Sequence, residues 1–99
     1  MSQIVVSGTA IRVVNTFYNF DNQPQDPDVV KFRVYDSSYK QLGDYILTEE
    51  NRISEGKYFY DYVTPSERNK TIILEFYGEI SGNPTIERKQ ITTTFIKGW

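Results

Sequence analysis

Apolar and polar residues alternate along this chain with a period of two, and turn residues cut the alternation at short intervals, as in half-buried β-strands. No stretch carries a convincing helical period. The first run is short, Ile4 to Val6, and stops at Ser7-Gly8. The second, Ala10 to Asn19, sets Ile11, Val13 and Phe17 on one face and Arg12, Val14, Thr16 and Tyr18 on the other. Asn15 falls on the inward parity, so it needs a partner or an exposed end. The segment from Asp21 to Asp28 reads as a loop, with Pro24, Pro27 and several side chains able to bond to their own backbone.

Val29 to Tyr35 is the cleanest run, Val30, Phe32 and Val34 alternating with Lys31, Arg33 and Tyr35 before the turn Asp36-Ser37-Ser38. A weaker run near Tyr45 to Thr48 reads as an edge strand, followed by the polar connection Glu49-Glu50-Asn51-Arg52 with Ile53 tucked under it. Lys57 to Thr64 places Tyr58, Tyr60 and Tyr62 on one face and Phe59, Asp61 and Val63 on the other, and Pro65 ends it. Thr71 to Ile80 sets Ile72, Leu74 and Phe76 against Ile73, Glu75, Tyr77 and Glu79. Ser81-Gly82-Asn83-Pro84 is a strong turn, and Ile86 to Ile96 closes the series with Ile91, Thr93 and Phe95 on one parity.

These runs predict one all-β domain over residues 1–99, a two-sheet antiparallel immunoglobulin-like β-sandwich of about seven strands with one wet face per sheet. No linker, internal repeat or low-complexity segment interrupts it. Composition agrees: the 99 residues include eight Tyr and six Phe but only one Ala, a balance that suits pleated surfaces. A chain of this length buries roughly two-thirds of its unfolded surface, enough for one core.

Charge and chemistry narrow the function. Cysteine and histidine are absent, so disulfides, thiolate zinc sites and the commonest general base are excluded. A net charge of −2 with mixed signs leaves no electrostatic footprint for nucleic acid or an anionic membrane. The first eight residues lack the basic start and apolar stretch of a signal peptide, and no segment is long enough to span a bilayer, so a cytoplasmic product is expected unless a larger assembly carries it out.

Enzymatic readings are poor. Serine and cysteine triads need a base this chain lacks. A carboxylate pair could cleave glycosides, and Asp61 is the acid that interrupts an aromatic strand; the plainer reading is that its face is half-exposed. Asp21, Asp26 and Asp28 could take calcium, but their spacing matches no fixed ligand register and Asx-type turns explain them equally. Asn69-Lys70-Thr71 fits a glycosylation sequon, read as a chance match without a secretory signal. No catalytic residue, metal ligand or cofactor is therefore expected. Tyr58, Tyr60 and Tyr62 read as a core layer. Tyr18, Tyr35, Tyr77 and the terminal Trp99 read as an outward contact surface.

Several segments resemble small proteins of tailed-phage structural gene clusters. They are Thr16-Phe17, Asp21-Asn22-Gln23-Pro24 closed by Asp26-Pro27, Val30 to Asp36, Glu75 to Pro84 and, the most specific, Gly56-Lys57-Tyr58-Phe59-Tyr60-Asp61-Tyr62-Val63-Thr64-Pro65. The resemblance covers roughly residues 10–96. It departs at Gln23, where the family often has Gly, and in the sixth run, where Ile73, Leu74 and Phe76 stand in a region that often holds Trp. It implies a non-enzymatic immunoglobulin-like virion component of the head, neck or head–tail junction, made in the host cytoplasm. The implied partners are capsid, portal or connector, or tail proteins and further copies of itself; the charge balance adds the expectation of no nucleic acid and no membrane. The alternative is a carbohydrate-binding or host-recognition module that stacks its outward tyrosines on sugars.

Overall fold

The computed structural model describes residues 2–96, and Trp99 lies outside the described residues. Eight strands run in chain order: β1 (Ser2–Val6), β2 (Ala10–Thr16), β3 (Val29–Asp36), β4 (Gln41–Ile46), β5 (Arg52–Ser54), β6 (Lys57–Val63), β7 (Thr71–Ile80) and β8 (Asn83–Thr94). The only other regular element among the described residues is a 3-10 turn, Glu49–Asn51, which Thr48 caps through its side chain. The all-β expectation holds. No helix among the described residues is long and apolar enough to cross a membrane.

The strands form a five-stranded sheet, β1-β8-β7-β3-β4, and a three-stranded sheet, β2-β6-β5. All pairings are antiparallel except β1 with β8, which run parallel, a departure from the purely antiparallel sheets expected. The two sheets meet through aromatic contacts. Phe32 of β3 stacks on Tyr60 of β6 at 4.4 Å between ring centroids and meets Phe76 of β7 edge-on at 5.1 Å. Val5, Val13, Phe17, Val30, Val34, Leu47, Tyr58, Ile72, Leu74 and Ile91 complete the buried cluster, with Tyr60 and Tyr62 packed against it. The core tyrosines and the inward faces of β3 and β7 thus lie where alternation placed them.

Four local expectations need correction. The fourth strand is Gln41–Ile46, not Tyr45–Thr48, and Leu47 is buried just beyond it. Its inward positions read Gly43, Tyr45, Leu47: the Tyr45 side chain lies over Gly43, where a Cβ would meet its hydroxyl at about 2.8 Å, and a register shift opposite Val34/Tyr35 breaks the alternation. Ile53 is exposed on the extra strand β5 and not tucked under the connection. β2 stops at Thr16, before Asn19. Phe95 is exposed because β8 ends at Thr94 and the strand parity ends with it.

The β7–β8 hairpin turns through Ser81 (φ 53°) and Gly82 (φ 79°), the two positive angles of a type I′ turn, so β8 begins at Asn83 and includes Pro84.

Candidate interaction face

The outward side chains of the five-stranded sheet line up in cross-strand rows, because residues opposite one another on neighbouring strands share a face. One row runs Arg88, Glu75, Arg33, Asp44 across β8, β7, β3 and β4. The next runs Ile86, Tyr77, Lys31, Ile46, and a third Gln90, Ile73, Tyr35, Gln41.

Glu75 sits at the centre. Alternation assigns it to the wet face, yet it is 1% exposed. Its neighbours have covered it. Arg88 Nε donates to Oε2 at 2.8 Å, Arg33 Nη1 to Oε1 at 3.3 Å and the Tyr35 hydroxyl to Oε1 at 3.2 Å. The carboxylate is thereby desolvated and matched by charged donors at once, the condition under which a buried charge is tolerated. Burial, and after it the Glu75 charge, raises the Tyr35 hydroxyl above its ordinary pKa. Arg33 also lies over the Tyr77 ring at 4.6 Å, and its Nε is 3.4 Å from Asp44 Oδ1, near enough for ion pairing but misaligned for a hydrogen bond. The Tyr77 hydroxyl donates to Glu79 at 2.8 Å, the main reason its pKa is raised.

Of the four residues expected to form a contact surface, the structure brings together two, Tyr35 and Tyr77, both half-buried and both engaged by carboxylates. Tyr18 stands apart just after β2. It is exposed and lines a groove of about 440 Å3 between β2 and β8 together with Val14, Asn15, Thr16, Ile86 and Lys89. Asn15, the inward polar exception, is therefore half-buried at an open margin. Sequence reasoning missed Tyr39, which is exposed and lines a depression with Tyr35, Ile73 and Arg88. Its positive φ of 66° places it in a turn, where strand alternation gives no signal.

The acids singled out in the sequence have structural partners. Asp61 and Arg12, opposite each other on β6 and β2, make two hydrogen bonds at 2.7 and 2.9 Å, with the guanidinium 4.0 Å over the Phe59 ring. That bonding holds the Asp61 carboxyl below its ordinary pKa. Asp26 accepts from the Gly56 N–H at 2.6 Å and from Arg52 Nε at 2.9 Å, and its pKa is lowered chiefly by the Gly56 bond. Among the described residues no group of three or more His, Cys, Asp or Glu side chains is placed to hold a metal ion.

No protein-family model, no curated protein and no solved structure matches the chain.

Proposed function

We propose that this chain is an immunoglobulin-like structural module of a bacteriophage virion, located at the head, neck or head–tail junction, and that it works by assembly and not by catalysis. The strand order supports the immunoglobulin-like reading: β8-β7-β3-β4 facing β2-β6-β5 corresponds to the G-F-C-C′ and B-E-D sheets of that fold, with β1 added along G.

The observation that carries the proposal is that the phage-like segments converge on one joint. Phe17 N–H donates to Gly56 O at 2.7 Å, Phe17 O accepts from Gln25 N–H at 3.1 Å, and Asp26 holds the Gly56 N–H. Gly56 has φ 74°, and a Cβ there would stand about 2.7 Å from Gln25 N and 2.8 Å from Phe17 O, so the motif's glycine is required. The joint and the core account for Phe17, Asp26, Gly56, Tyr58, Tyr60 and Tyr62. Outward residues of the same segments, among them Arg33, Tyr35, Glu75 and Tyr77, contribute to a face of paired charges and tyrosines suited to protein contact.

The test is mass spectrometry of purified particles from a phage that encodes the chain. The proposal expects it at a fixed copy number; its absence from particles contradicts the proposal. A carbohydrate-binding module is the second reading, favoured by the depression between Tyr35 and Tyr39. Glycan binding lost on Tyr35→Ala or Tyr39→Ala would support it.

A further inference from the structure

The five-stranded sheet has two unfinished edges, and they differ. β4 has no neighbour beyond it among the described residues. β8 is covered by β1 only along 90–94, which leaves 83–89 uncovered among the described residues. Backbone direction follows from the bonds at the strand ends. Leu47 N–H donates to Val30 O, so odd-numbered β4 residues bond to β3, and the N–H and C=O of Asp44 and Ile46 point to the free edge. Thr93 N–H donates to Lys70 O and Ser7 N–H donates to Thr94 O, so odd-numbered β8 residues bond to β7, and the groups of Ile86 and Arg88 point away from it. Pro84 is on the same parity, where its missing N–H leaves the β7–β8 ladder intact.

The side chains at these edges are complementary. The row Arg88, Glu75, Arg33, Asp44 alternates in sign across β8, β7, β3 and β4, so it ends positive at β8 and negative at β4. Asp44 accepts no hydrogen bond among the described residues, and the Arg88 side chain is 60% exposed. In the neighbouring row the two ends are Ile86, 44% exposed, and Ile46, 73% exposed.

We propose that copies of this chain join head to tail by strand addition, the β4 edge of one pairing antiparallel with the uncovered part of β8 on the next. Placing Asp44 opposite Arg88 of the next copy continues the charge alternation through the seam. The same register sets Ile46 opposite Ile86 and points both pairs of free backbone groups at each other. Between them, Tyr45 falls opposite Glu87, beside the groove that Val14, Thr16 and Tyr18 line. Pairing β4 with β4 about a two-fold axis instead sets Asp44 opposite Asp44 or, one residue over, opposite Ile46, and neither register gives it a cation. β1 stops the added strand before Gln90, so each contact is short, and stability comes from repetition around a ring or along a filament. From the proposed function this takes only that copies associate; it holds whatever larger particle they join.

The chain has no cysteine, which makes a clean test available. Within one copy, positions 46 and 86 are separated by β3 and β7, roughly 14 Å at three inter-strand spacings, too far for a disulfide. Ile46→Cys and Ile86→Cys, both at exposed sites, are mixed at millimolar protein under mild oxidation, one of them carrying a mass tag. A mixed 46–86 dimer in excess of either homodimer is expected, and the double variant should give a ladder of multimers on a non-reducing gel. Homodimers of Ile46→Cys equal to the mixed product, or no mixed dimer, would overturn the contact. Sedimentation of the unaltered chain is the independent check: its mass should rise past two copies with concentration, and a plateau at two also overturns it. Failure here rejects this contact and leaves virion membership to particle mass spectrometry.

Discussion

Glu75 on β7 and Arg88 on β8 stand directly opposite each other with their charged atoms 2.8 Å apart, yet the carboxylate is buried and the guanidinium is largely in water. The pair marks where the solvent side of a sheet has become dry with no element among the described residues packed on it. Arg33, Tyr35 and Arg88 lie over the carboxylate, and their own outer edges make the surface that a partner would meet.

Removing the carboxylate should therefore cost more than an outward strand position suggests. Glu75→Ala leaves the half-buried Arg33 with the misaligned Asp44 as its one carboxylate partner among the described residues, and the expected loss is about 2–4 kcal/mol. Glu75→Gln keeps acceptor capacity and should lose less. Urea midpoints of the two variants check this; a wild-type midpoint for Glu75→Ala would contradict it.

Asp26 should make stability sensitive to acid. Its native pKa is depressed by the Gly56 N–H and then by Arg52, so the folded state binds its proton less readily than the unfolded chain. Its contribution is complete above the unfolded value of about 3.9 and is lost as pH falls through the lower native value. Melting temperatures from neutral pH down to acid should fall less steeply for Asp26→Asn than for the wild-type chain; parallel curves would contradict the assignment.

Two glycines should resist alanine. At Gly78 a Cβ would stand about 2.9 Å from both the Phe17 ring and Pro27 Cγ, so Gly78→Ala overpacks the core and should cost about 1–3 kcal/mol. At Gly56 the new Cβ would meet backbone atoms at a positive φ, and Gly56→Ala should cost more, roughly 2–4 kcal/mol. Gly82 also has a positive φ but faces open space, so Gly82→Ala should be the mildest of the three. Thermal denaturation ranks them.

Much of the fold was legible in the sequence where one face is buried. Val30, Phe32 and Val34, and Ile72, Leu74 and Phe76, announce β3 and β7 because the alternation there is unbroken. β4 was misplaced because its inward positions are Gly43 and a half-covered Tyr45, so its period of two is nearly silent. β5 is too short to carry a pattern. The candidate face was legible only in fragments. Tyr35 and Tyr77 were visible as outward aromatics, but the burial of Glu75 depends on Arg33 and Arg88, which adjoin it only through strand register. The unfinished edges follow from where β1 stops along β8, a length no local pattern encodes.

The central claim is that copies assemble through those edges, and amide hydrogen exchange reads it residue by residue. The amides of Asp44, Ile46, Ile86 and Arg88 point to free edges, whereas those of Tyr45 and Glu87 bond within the sheet. As concentration rises and copies associate, protection should increase at the first four and stay constant at Tyr45 and Glu87. Association that leaves all four exchanging as in the single copy would contradict the account.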